Sequence, residues 1–186
     1  MLPQEREFIL YLPLYDGIDK LEIGIDPGAE IVASELNSPD RENPIVMYGT
    51  SILQGASASR PGMAATNIIG RRFDREVVNL GFSANAFLDK EIAELMSEVE
   101  ASAYVLDFVP NASVSQIKEL TIPFYRILRK KHRTTPIMFV EDPQFPSAVY
   151  NRVLADEIRE KNEALQLVYN CLLYTSPSPR DRQKSR

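Results

Sequence analysis

The sequence carries one cysteine and one histidine in 186 residues. That leaves almost no basis for a zinc site built from His and Cys ligands and excludes an internal disulfide framework. No apolar run approaches the ~20 residues that a membrane-spanning helix needs. A basic excess is lacking too: 21 Lys and Arg stand against 26 Asp and Glu, for a net charge of −5. This argues against a dedicated nucleic-acid binder, whose affinity rests on neutralising phosphates. No basic-then-apolar leader opens the chain, which leaves the compartment open. No internal repeat is present.

What remains is the balance of a soluble globular protein, 44% apolar and 25% charged, with room for one domain and part of a second. Residues 8–15 are apolar and aromatic, Asp16-Gly17 is a turn signal, and Leu21-Glu22-Ile23-Gly24-Ile25 alternates with period two. The pattern predicts a β-hairpin, marginal unless it packs on something. A polar stretch through Asn43 follows as a linker.

From Pro44 the rhythm changes. Short apolar runs at 45–48, 77–80, 104–106 and 137–140 read as strands. Between and after them, residues 63–73, 89–100, 114–131 and 148–170 carry helical spacing. Four alternations with nearly all-apolar strands predict an α/β fold, a parallel sheet covered by helices on both faces. Ligands in such sheets sit beyond the C-terminal ends of the strands. From Cys171 the composition shifts to Ser, Pro and basic residues, which cannot build a packed core. Residues 171–186 resemble the in-frame translation of a sequencing-library adapter, so the native fold is expected to end at Asn170.

The loops after the first three strands carry the chemistry. Gly49-Thr50-Ser51 places a hydroxyl between a buried strand and a helix, where a nucleophile can be held exposed; a helix N-cap or a phosphate-cradling turn is the plainer use of the same residues. The second strand runs into Gly81-Phe82-Ser83-Ala84-Asn85 and the third into Asp107-Phe108-Val109-Pro110-Asn111. Together they bring a hydroxyl, a tight backbone turn and a carboxamide to one sheet edge, the set that acyl transfer needs.

These three blocks resemble those of the SGNH hydrolases, the GDSL-type esterase and acylhydrolase family. Ser51 matches the nucleophile position. The family's second block places a Gly, as backbone oxyanion donor, five residues after an Asn; counted from Asn79 this position is Ala84. An Ala there costs roughly 1 kcal/mol or more if the backbone needs φ > 0. Asn111 matches the Asn whose side chain completes the oxyanion hole. A bacterial esterase subgroup is similar at further segments: Tyr48 to Ile52, Ala58-Ser59-Arg60-Pro61-Gly62-Met63, and Leu80 to Ser83. There a small β-domain precedes the hydrolase domain and ends in a stretch like Tyr11-Leu12-Pro13-Leu14-Tyr15-Asp16-Gly17. The resemblance implies residues 1–36 as the remnant of such a domain, 37–43 as linker, 44–170 as an incomplete hydrolase domain and 171–186 as a non-native tail. It implies a three-layer, doubly wound, flavodoxin-like sheet whose last strand is missing, preceded by the hairpin, and a secreted or periplasmic setting.

A serine nucleophile needs a base. The family supplies it from an Asp-x-x-His near the C-terminus, and none exists here. His132 follows the 114–131 helix at the N-terminal edge of the sheet, roughly 16 Å of strand from Ser51, and reads as a surface residue. Glu141-Asp142 sit at the correct edge, as a substrate contact or an orienter of a base, or more simply as a solvated loop or helix start. Arg60 is a candidate contact to an anionic or sugar substrate, or a brace for loop carbonyls. The reading is a serine esterase acting through an acyl-enzyme on a small-molecule or carbohydrate ester, with no cofactor and no metal, and expected to be inactive as it stands. The alternatives are a catalytically dead glycan- or small-ligand-binding domain of the same fold, or a phosphate- or nucleotide-binding module. Against the last, neither Gly-x-Gly-x-x-Gly nor a Lys-Ser/Thr pairing follows the first strand.

Overall fold

The computed structural model describes residues 6–32 and 43–175. Four strands, β1 (Ile45–Gly49), β2 (Val77–Gly81), β3 (Ala103–Asp107) and β4 (Ile137–Phe139), form one parallel sheet in the order β2-β1-β3-β4. Five helices connect or follow them: α1 (Ser51–Gln54), α2 (Ala65–Phe73), α3 (Lys90–Met96), α4 (Val114–Lys131) and α5 (Arg152–Thr175).

Strand alternation divides the core in two. Val46, Tyr48, Tyr104 and Leu106 point to one face and pack with Ala93 and Met96 of α3, Ile117, Phe124 and Leu128 of α4, and Ala164 and Leu165 of α5. Met47 and Val105 point to the other and meet Leu53 of α1 and Ile69 of α2. Helices on both faces follow from strands apolar on both sides. The chain leaves β1 toward β2 on one flank and β3 toward β4 on the other, so the winding direction reverses between β1 and β3. Crevices at such reversals are where α/β sheets bind ligands.

Local chemistry sets most boundaries. Ser113 and Gln116 form a reciprocal capping box at the start of α4, and Arg129, Lys130 and Lys131 occupy its negative end. The predicted 63–73 helix begins two residues later, at Ala65, after a 3-10 turn over Pro61–Met63. Helix α3 stops at Met96 instead of 100, where the Ser97 hydroxyl donates to the Glu94 carbonyl at 2.6 Å. The last helix starts at Arg152, with Asn151 Oδ1 accepting from the Leu154 N–H.

Three expectations are corrected. No hairpin forms: among the described residues 6–32 no strand is present. Ile18, Leu21, Ile23 and Ile25 find no partner surface and stay exposed, and Pro13 cannot donate to a ladder. The segment is instead an extended strap, anchored through Tyr11, Leu14 and Tyr15. His132 is buried, with 5% of its surface exposed. It is at the expected edge, but its Nε2 meets the Ser97 carbonyl at 2.9 Å and its ring tilts against Tyr104. Helix α5 also continues past Asn170 to Thr175. Leu172, four residues beyond Val168, extends its apolar stripe and is buried against Tyr125. Part of the proposed linker, residues 37–42, and residues 176–186 of the tail lie outside the described residues. Among those described, no helix is long and apolar enough to cross a membrane.

Candidate active site

Gly49, Gly81 and Asp107 are register partners in a row across β2, β1 and β3 at the C-terminal edge. Ser51, Ala84 and Asn111 stand two, three and four residues beyond that row, in the segments that follow three adjacent strands spaced ~4.8 Å apart.

The first loop is a tight strand-to-helix turn. Thr50 is buried and extended, and its hydroxyl accepts from the Ile52 N–H, capping α1. Ser51 follows as the first helical residue, half-buried. The turn lies close on its neighbours. A Cβ on Gly81 would come within 2.4 Å of the Gln54 nitrogen, and one on Gly49 within 2.6 Å of the Asp107 carbonyl. Only glycine permits either approach. Asn79 locks the same turn from below: its Nδ2 donates to the Leu53 and Gln54 carbonyls and to the Thr66 hydroxyl, while its Oδ1 accepts from Gly81.

The second loop continues the ladder, Phe82 N–H donating to the Gly49 carbonyl at 2.8 Å, and then turns sharply. Ala84 has φ = +56°, the left-handed conformation that favours glycine. The anticipated condition for strain at this position is therefore met. Gln54 ties the loop to α1, its Oε1 accepting from the Ser83 N–H at 3.0 Å. Its Nε2 donates to the Leu14 carbonyl, and Tyr15 Oη donates to the Ser51 carbonyl at 3.3 Å. The strap thus closes over the turn that carries Ser51.

The third loop brings in Asn111, half-buried. Its Oδ1 accepts from the Ala86 N–H at 3.4 Å. With the oxygen so engaged, the Nδ2 donor is left on the other side; it makes no hydrogen bond among the described residues. The structure therefore brings together the loops of all three predicted residues, linked by Gln54 on one side and Asn111 on the other.

Behind them sits an acidic group. Burial first, and the Asp142 carboxyl second, push Asp107 up to about 6. Asp142 is 6% exposed, and its Oδ1 has no hydrogen-bond partner among the described residues. Its backbone is clamped by Asn162, which accepts from the Asp142 N–H and donates to its carbonyl. Burial also raises the Asp142 carboxyl, Lys161 offsetting part of the effect. Lys161 in turn donates to the Pro110 carbonyl, next to Asn111, and pairs with Glu157 at 2.7 Å. Of the acidic pair after β4, then, Asp142 is buried, whereas Glu141 is exposed and accepts from Gln166. Sequence reasoning missed Gln54, Lys161, Asn162 and the titration of Asp107. The only available signal was an acid at the last position of a buried strand. No cluster of three His, Cys, Asp or Glu among the described residues could hold a metal ion.

The sequence's one His is not at this edge. His132 packs on Tyr104, near the start of β3, whereas the site begins beyond Asp107 at its end.

Comparison with known proteins bears on the family and the fold. The model of the GDSL-like lipase/acylhydrolase family matches residues 42–178. A model described as the N-terminus of SGNH-hydrolase-type esterases matches residues 1–31. The fold is similar to that of a protein from Bacteroides ovatus ATCC 8483 described as a GDSL-like lipase, with a TM-score of 0.69 and 38% identity, covering 72% of this chain and 40% of that one. It is also similar to SsfX3, a salicylyl-acyltransferase from a tetracycline biosynthetic pathway, with a TM-score of 0.58 and 20% identity, covering 73% and 40%. The second likeness bears on the fold alone. The chain spans about 40% of the length of these two structures. No curated protein matches it.

Proposed function

The chain belongs to the GDSL-like lipase/acylhydrolase family, and from that premise we propose that its sheet edge is a serine esterase site. Ser51 is the nucleophile. Its hydroxyl attacks an ester carbonyl and forms an acyl-enzyme, the alcohol leaves, and water then cleaves the acyl-serine. The N–H groups of Ser51 and Ala84 and the Asn111 side chain hold the oxyanion of each tetrahedral intermediate. The observation that carries this reading is the pair of bridges that fixes the three loops: Gln54 to the Ser83 N–H and Asn111 Oδ1 to the Ala86 N–H. The second bridge leaves a carboxamide donor for the site.

The proton of Ser51 must go to a base. His132 is committed at the opposite edge, so this chain by itself is expected to turn over little. The family pattern assigns the base to an Asp-x-x-His that the sequence does not contain. An acylated carbohydrate is the proposed substrate class, taken from the family resemblance alone. A ligand-binding domain of the same fold is the competing reading, and it predicts no covalent intermediate.

The test supplies the base from solution. The chain is incubated with p-nitrophenyl acetate, with and without imidazole, and its intact mass and Ser51 peptide are read by mass spectrometry. An acetyl adduct on Ser51 that grows with imidazole, is absent in Ser51→Ala and is reduced in Asn111→Ala supports the esterase reading. No adduct on Ser51 with imidazole present refutes it.

A further inference from the structure

A shallow cavity open to the surface, of about 450 Å³, lies along α2, and Ser51 is not among its lining residues. Tyr11 of the strap, Arg60, the turn Pro61-Gly62-Met63, and Arg71 in the last turn of α2 line it. Two of its six residues are cations and none is an acid, in a chain whose net charge is −5. Neither arginine forms an ion pair among the described residues. The Arg60 Nη1 contact is a long one, 3.4 Å to the Ser59 hydroxyl. The Arg71 guanidinium lies over the Tyr11 ring, 5.2 Å from its centroid. Side chains on a helix lean toward its N-terminus, which carries Arg71 toward the turn that precedes α2.

The walls are braced. Asn67 Nδ2 donates to the Pro61 carbonyl at 2.8 Å, and the Met63 N–H donates to the Arg60 carbonyl at 2.9 Å. Gly62 lies so close to the Tyr11 ring that a Cβ would stand 3.1 Å from it. The neighbouring Arg75 is already used, donating to the Asn43 carbonyl at 2.7 Å. Arg60 and Arg71 therefore have unspent forks of donors converging on one concavity, with a ring holding one of them in place. Such forks match the two oxygens of a carboxylate or phosphate.

We propose that this cavity binds a compact oxyanion, a carboxylate or phosphate group, between the guanidinium groups of Arg60 and Arg71. The site does not depend on the chemistry at Ser51 and stands or falls separately from it.

The test is a titration of the isotopically labelled chain, followed by NMR, with inorganic phosphate in one arm and benzoate in the other. Ionic strength is held constant with chloride. Saturable shifts at Gly62, Met63 and Arg71, with a dissociation constant on the order of 1 mM, are expected in at least one arm. The responding arm distinguishes phosphate from carboxylate. Arg60→Gln and Arg71→Gln should each weaken binding about fivefold. Arg72→Gln removes the same charge from the same helix outside the cavity and should leave binding unchanged. Linear, non-saturating shifts in both arms overturn the proposal, as does an equal loss in Arg72→Gln, which reports only the net charge. If a variant fails to fold, the residues shifted in the unmodified chain decide alone: shifts away from the turn and α2 overturn the site.

Discussion

Replacing Asp107 with Asn should stabilise this protein at neutral pH and leave it unchanged in acid. The Asp107 carboxyl ends β3 beside Gly49 and is pushed up to about 6 from an ordinary 3.8 by burial and by Asp142. Both causes disfavour the charged form in the folded state only. Between those two values the native protein holds more protons than the unfolded chain, so stability falls as pH rises through this window. Well below 3.8 the group is neutral in both states and costs nothing; well above 6 it is charged in both and the whole cost is present. About two pH units at 1.36 kcal/mol each give a ceiling of ~3 kcal/mol. Asp107 is partly solvent-accessible, which trims this to roughly 1–2 kcal/mol. Asn has nearly the same shape and no charge. Urea unfolding of both proteins at pH 3, 4, 5, 6 and 7.5 gives the difference directly, and the carboxylates not coupled to Asp107 cancel in it. The expected difference is near zero at pH 3 and rises to roughly 1–2 kcal/mol in favour of Asp107→Asn at pH 7.5. A difference that stays flat with pH, or one that grows in favour of Asp107, would refute the argument.

Two further outcomes follow from the loops. Ala84→Gly should stabilise by up to about 1 kcal/mol: it relieves a left-handed alanine worth roughly 1–2 kcal/mol and adds about 0.4–1 kcal/mol of unfolded-state entropy. A clear loss in melting temperature would mean that the backbone is not strained there. Gln54→Ala removes the bridge between Leu14 and Ser83 and should cost about 1 kcal/mol, with faster amide exchange at Ser83 in particular; unchanged exchange there would show that the bridge does not hold the loop.

The parts of this fold that local chemistry dictates were readable in advance. Helix α4 runs over the predicted 114–131 because its cap, its apolar stripe and its basic end all agree. Each of the four strands lies within a residue of its apolar run at either end. The hairpin failed because alternation in 21–25 says only that a strand would have two unlike faces, not that anything exists to cover one. His132 was misjudged for a related reason. A His at a helix C-terminus looks solvated until α3 ends early and presents the Ser97 carbonyl to it. The placement of Ser51, Ala84 and Asn111 followed from strand order, since residues just past parallel strands share an edge whatever their separation in sequence. Asp107 and Gln54 were hidden because their roles come from across-sheet neighbours, Asp142 and Ser83, that no spacing rule connects to them.

Helix α1 has four residues, too few to sustain itself, because helix nucleation is unfavourable until several turns repay it. Its shape is lent by others: Asn79 beneath, Gly81 against its backbone, Leu14 and Tyr15 above. In kinetic terms this makes the Ser51 turn a late event. It cannot settle until β1 and β2 have paired and the strap, 36 residues upstream at Tyr15, has docked. The same dependence makes it the first part to open. Amide exchange at Leu53 and Gln54 should therefore outpace that at Val46 and Leu106, and slow exchange at all four would disprove it. A chain of this kind is expected to lose its Ser51 turn well before it loses its sheet.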